Sequence, residues 1–231
     1  MTHFARKLTA NYIFLLAGLL AASSACAARP YMPPPANPVL QGLQASSTTP
    51  AAPSTTPSSA SRSPSTRNRV IAVASGMHGR SSPSVGGRGF RSDCSGFAQA
   101  AYHSIGIDLY SEGGAPGENG VVIIHRYVNR HGRLHTGTPT PGDLVFFDGT
   151  HGLPRSRLTH IGIVEKVERD GTVVFLHHMQ GRVVRGRMNR GSPSTHRNPV
   201  TGQVINDFLR RGGSGQRLAG ELFAGYGTVV R

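Results

Sequence analysis

The chain predicts an α+β fold in which helices come first and a mostly antiparallel sheet follows. Helical apolar stripes end by Arg130, while apolar strand runs begin at Leu144. Two of those runs, HIGIVEKVE and TVVFLHH, are joined by Asp170-Gly171, the signature of an antiparallel hairpin. Strands and helices nowhere alternate, which excludes a doubly wound sheet.

The elements follow in order. Arg6 and Lys7 precede an apolar run, Tyr12 to Ala22, and then the small residues SSACAA. The run is too short to span a bilayer and has the length of an export-signal core, so residues 1–25 are expected to be a signal peptide. Two processing outcomes are open: cleavage after Ala27, or lipidation of Cys26 as in bacterial lipoproteins. Residues 26–65 are Pro, Ser, Thr and Ala-rich and cannot build a core. They are expected to be a disordered tether with a reach between about 35 Å as a coil and about 120 Å extended. The folded domain is expected over 66–231.

That domain opens with a helix from Thr66, whose apolar stripe is Val70, Ile71, Ala74 and Met77, stopping at Gly79. A glycine-rich loop, SSPSVGGRGF, leads to RSDCSGF. There Ser92 or Asp93 caps a second helix carrying Phe97, Ala101, Tyr102 and Ile105 on one face. A third helix spans Asn119 to Arg130. TPTPGDLVFF then turns into a buried strand, Leu144 to Phe147, followed by a long loop from Asp148 to Thr159, the hairpin, and a strand near Arg182 to Arg187. Residues 188–218 form a basic, weakly patterned insertion in which Val204 to Leu209 suggests a helical turn. ELFAGYGTVVR is expected to return as an edge strand.

Composition narrows the partners. The formal charge is +14, with 25 Lys plus Arg against 11 Asp plus Glu, and the first acidic residue is Asp93. Such a chain favours polyanionic surroundings. Export excludes nucleic acid and leaves anionic headgroups or acidic wall polymers. The expected location is the periplasm or the outer membrane as a lipoprotein, with plain secretion the alternative. Membrane contact would come through a lipid on Cys26.

The two cysteines are Cys26 and Cys94, and either processing outcome leaves Cys94 unpaired. An odd cysteine in an oxidising compartment marks a reactive thiol. Cys94 stands where a helix begins, and the helix dipole with free N–H groups favours thiolate there. Its alkylation is therefore expected to be fast near neutrality and to slow when its base is replaced. The base is sought among 11 histidines. His160 opens an apolar strand, and His177 and His178 end the next strand of the same hairpin. His131 and His135 lack a companion ligand at metal-site spacing, and neither a metal nor a cofactor is expected.

DCSGF, PGDLVFF, HIGIV and FLH followed by glycine occur in the order seen in NlpC-type cell-wall cysteine peptidases, and the chain resembles that family over about Val70 to Val184. The resemblance implies a papain-like fold, with Cys94 as nucleophile and His160 as general base. It implies His177 as the orienting third residue, with His178 the alternative. Asp93 is implied as a substrate contact, and its neighbour Ser95 is a second substrate-binding candidate. The substrate implied is the stem peptide of peptidoglycan, cut at an amide such as D-glutamyl-diaminopimelate. A CHAP-type amidase or a non-catalytic peptidoglycan-binding protein is the alternative. One departure concerns specificity: relatives carry a tyrosine before the paired glycines, where this chain has Val85.

Overall fold

A computed structural model describes residues 65–151, 157–210 and 215–230. The signal peptide, Cys26 and nearly all of the tether lie outside the described residues.

Three helices precede the main strands. Helix α1 (Thr66–Gly76) is capped by the Ser65 hydroxyl, which accepts from the Asn68 N–H at 3.3 Å, and it buries Val70 and Ala74, with Met77 buried just beyond. Strands β1 (Ser84–Val85) and β2 (Arg88–Gly89) form a small hairpin inside the glycine-rich loop, with Gly86 and Gly87 at φ 57° and 80°. Two successive positive φ angles define the tight turn that fits two-residue hairpins, and glycine reaches them without Cβ strain.

Helix α2 (Cys94–His103) is buried from Ser95 to Tyr102, which makes it the central helix. Its far end is tied to the sheet by the Tyr102 hydroxyl, which donates to the Gly142 carbonyl at 2.6 Å. Helix α3 (Gly120–His131) is capped by Asn119, whose Oδ1 accepts from the Val121 N–H at 2.9 Å. It buries Val121, Ile124 and Val128 at helical spacing, and Gly132 ends it by returning its N–H to the Val128 carbonyl.

The main sheet contains β3 (Arg133–His135), β4 (Leu144–Asp148), β5 (Leu158–Val167), β6 (Val173–Met179), β7 (Arg182–Met188) and β10 (Phe223–Thr228). Its spatial order is β3-β10-β4-β5-β6-β7 and every neighbouring pair is antiparallel. The α+β expectation therefore holds. Strand β10 differs from expectation, because it lies between β3 and β4 rather than at an edge. The edge on that side is β3, a three-residue strand with too few residues to show alternation in sequence.

Both faces of the sheet are covered. Leu144, Phe146, Ile161, Ile163, Leu176 and Val183 pack against the helices. Val145, Phe147, Val164, Val173, Phe175 and Met188 pack instead against Leu209, Ala219 and Leu222. Burial on both faces explains why β4 and β6 read as continuous apolar runs. The weakly patterned insertion is thus the second covering layer. In it, Val204 to Leu209 is not helical: β8 (Phe208–Arg210) pairs with β9 (Arg217–Leu218), and a 3₁₀ turn (Gly220–Leu222) leads into β10.

Side-chain hydrogen bonds do there what regular structure does elsewhere. Asn206 is fully buried; its Oδ1 accepts from the N–H groups of Asn189 (2.8 Å) and Gly220 (3.0 Å), and its Nδ2 donates to the carbonyls of Ser192 and Thr195 (both 2.9 Å). Replacing it by Ala strands four backbone groups, one buried and three partly buried. Asn206→Ala is expected to lower stability by about 2–4 kcal/mol, read as a shifted midpoint in urea unfolding; an unchanged midpoint would show that water replaces the side chain at no cost.

Candidate active site

The site is built where the N-terminus of α2 meets β5 and β6. Asp93 caps α2, its Oδ1 accepting from the Gly96 N–H and the Ser95 hydroxyl, both at 2.7 Å. Its Oδ2 accepts from Arg91 Nε at 2.8 Å. Burial works to raise the Asp93 carboxyl, but the Gly96 and Ser95 hydrogen bonds and the Arg91 charge together hold it below the usual carboxylate range. Gly96 permits this start, because a Cβ there would lie 2.1 Å from the Arg91 carbonyl oxygen.

Cys94 is a free thiol with partial exposure at a cleft of about 230 Å³, whose walls include Asp93, Thr150, His151, His160 and His178. His160 Nε2 lies 2.7 Å from His177 Nδ1, the two rings meeting edge to face. His178 turns elsewhere, its Nε2 bonding the Ser81 carbonyl at 2.8 Å while the ring still borders the cleft. Of the two histidines ending β6, the one joined to His160 is His177. A larger cavity of about 390 Å³ lies at the opposite end of the β5–β6 hairpin, near Val167 and Val173. It holds neither thiol nor imidazole, so size does not identify the site.

Two expectations meet the structure here. Ser95 is 3% exposed, donates to Asp93 and accepts from the Tyr110 hydroxyl at 2.8 Å. Its hydroxyl is engaged within the protein. The second concerns charge. Burial pushes the Cys94 thiol up, and the nearby Asp93 carboxylate adds to this; N–H groups of Ile161, Cys94 and Ser95 pull the other way without prevailing, leaving the thiol at about 11. Desolvation outweighs the helix dipole because the sulfur is ringed by protein.

The histidines respond to the same dryness. Burial, with the charges of His151 and His178 adding, lowers His160 to about 3. Burial also drives His177 well below the ordinary histidine range. Burial thus favours the neutral forms of the thiol and of both imidazoles in the empty site.

Sequence reasoning missed Tyr110 and Thr150. Tyr110 brings a phenol to Ser95 from the loop after α2. Thr150 fixes the loop bearing His151, its N–H and hydroxyl both lying 2.9 Å from Thr159 Oγ1. Neither has a local signal, because each acts on a residue distant in sequence.

These electrostatics predict two results. Iodoacetamide alkylation of Cys94 should rise about tenfold per pH unit from pH 7 to 10, and a plateau reached below pH 7 would reinstate the ion pair. Asp93→Asn keeps a capping residue but removes a negative charge, so alkylation at fixed pH should accelerate. A third follows from linkage. Because His160 and His177 are depressed, the unfolded chain binds more protons below its ordinary histidine range. Stability contributed by keeping them neutral is complete above about pH 6.5 and is lost as pH falls toward about 3. Urea midpoints that stay flat across that window would contradict it.

A search among curated proteins returned no match. A search among solved structures also returned none. The family model described as the NlpC/P60 family matches residues 78–201, which run from the end of α1 through β7 and include Cys94, His160 and His177. With the match covering more than half of the chain and the α+β architecture of that papain-like family around it, the chain belongs to the NlpC/P60 family, whose members are generally cysteine peptidases acting on peptidoglycan peptides.

Proposed function

We propose that this protein is a cysteine endopeptidase that cleaves an amide bond in the stem peptide of peptidoglycan, with D-glutamyl-diaminopimelate as the preferred bond. The supporting observation is a free thiol at the start of α2 that shares a cleft with His160, itself bonded to the buried His177. Export through residues 1–25 and an anchor at Cys26 complete the reading, and a basic chain suits an acidic wall.

In this reading the two histidines take different roles. For His160 to accept the thiol proton on Nδ1, its Nε2 carries hydrogen and donates to His177 Nδ1. His177 then holds its own hydrogen on Nε2. This fixes one tautomer and leaves His160 as base. Since thiol and imidazole start neutral, the proton moves to His160 as sulfur attacks the carbonyl carbon. N–H groups at the start of α2 receive the developing oxyanion. His160 then gives its proton to the leaving amine, and water hydrolyses the thioester with His160 again as base. Asp93 holds the helix start through its cap and leaves its partly exposed edge toward the substrate.

Digestion of sacculi followed by mass analysis of the muropeptides tests this. Wild-type protein is expected to release new free amines at one stem-peptide bond, with His160→Ala reduced roughly 10²- to 10⁴-fold and Cys94→Ala inactive. Fragments separated at the glycan–peptide junction would assign a CHAP-type amidase cut. Equal sedimentation with sacculi and no amine release by wild type and Cys94→Ala alike would leave a binding protein.

A further inference from the structure

Strands β6 and β7 are joined by two residues, Gln180 and Gly181, at φ 51° and 79°. This turn suits a right-twisted hairpin, and its first position is ordinarily Asn, Asp or Gly. Among the described residues Gln180 is the one non-glycine at positive φ. Glutamine brings nothing to the turn itself, since it has a Cβ and lacks the short side chain with which Asn bonds local backbone. Its side chain is exposed, and its carboxamide makes no hydrogen bond to another described residue.

The position of the turn gives that side chain a use. Gln180 borders the cleft that holds Cys94 and His160, with Met179 beside it and Leu209 of β8 completing the wall. Leu209 lies beyond residues 78–201, so this part of the cleft draws on chain outside the family match. Sparsely populated backbone conformations cluster where a ligand is held, and here one coincides with an unpaired polar side chain at the cleft.

We propose that Gln180 grips the substrate peptide, pairing its carboxamide with a backbone amide beside the scissile bond while Met179 and Leu209 take the adjoining aliphatic side chain. A carboxamide offers one acceptor and two donors, the complement of a peptide group. The inference rests on the cleft being a stem-peptide site and adds to that reading the residue and the group it recognises.

The test is calorimetric titration of a synthetic stem tetrapeptide into full-length protein carrying Cys94→Ala, alone and with Gln180→Gly or Gln180→Asn. Gln180→Gly is expected to weaken binding roughly 5- to 10-fold, with Tm unchanged or higher because glycine relieves the turn. Gln180→Asn, which tolerates the turn on a shorter arm, is expected to fall between. Equal affinity in all three proteins overturns the proposal, as does undetectable binding by the Cys94→Ala protein. Turnover is read separately on sacculi. If wild type is inactive yet Gln180→Gly weakens peptide binding, the peptidase reading fails and the role of Gln180 stands; normal turnover with unchanged affinity gives the reverse.

Discussion

The contact on which the cleft depends is the one between the start of α2 and β5. Three groups fix it. Gly96 lets the Arg91 backbone lie where a Cβ would collide, Asp93 closes the first turn, and Tyr102 ties the other end of the helix to Gly142. With both ends held, α2 cannot slide along the sheet, and the Cys94 sulfur stays against the Ile161 N–H, one residue from His160. That close fit also dries the site. Low polarity strengthens every later electrostatic interaction while keeping the resting groups uncharged.

Much of this was legible in the residues. The Asp93 cap, the Leu144 strand and the Asp170-Gly171 hairpin carry local signals, since each depends on neighbours a few positions away. The hairpin put His177 or His178 beside His160, and only the family resemblance favoured His177. What was not legible depends on distant partners. Strand β10 contains glycine at 225 and 227, and nothing in FAGYGT says that β3 and β4 wait on either side of it. Gly227 is needed because Val128 and Phe146 crowd its position, a fact visible only after folding. Burial at Cys94 was hidden for a similar reason: a helix dipole can be read from sequence, whereas the desolvation that opposes it cannot.

The family match and the fold have different boundaries. Residues 78–201 include the proposed catalytic set and the strands that carry it, but not Leu209, Ala219 and Leu222 of the layer that covers Val145, Phe147 and Phe175. That layer is held by Asn206 and contributes Leu209 to the cleft. The proposed catalytic set thus lies inside the family match, while one wall of its cleft, at Leu209, lies outside it.

The position of β10 also bears on how the protein reaches its folded state. Strand β4 is synthesised long before its neighbour on one side, and until β10 is made it has an unpaired apolar edge next to β3. A sheet in that condition is slow to complete and open to pairing with other chains. A ribosome that delivers the chain in order therefore delivers an incomplete sheet. The layer beneath the helices is complete only when β10, the last of its strands in chain order, has slotted between β3 and β4.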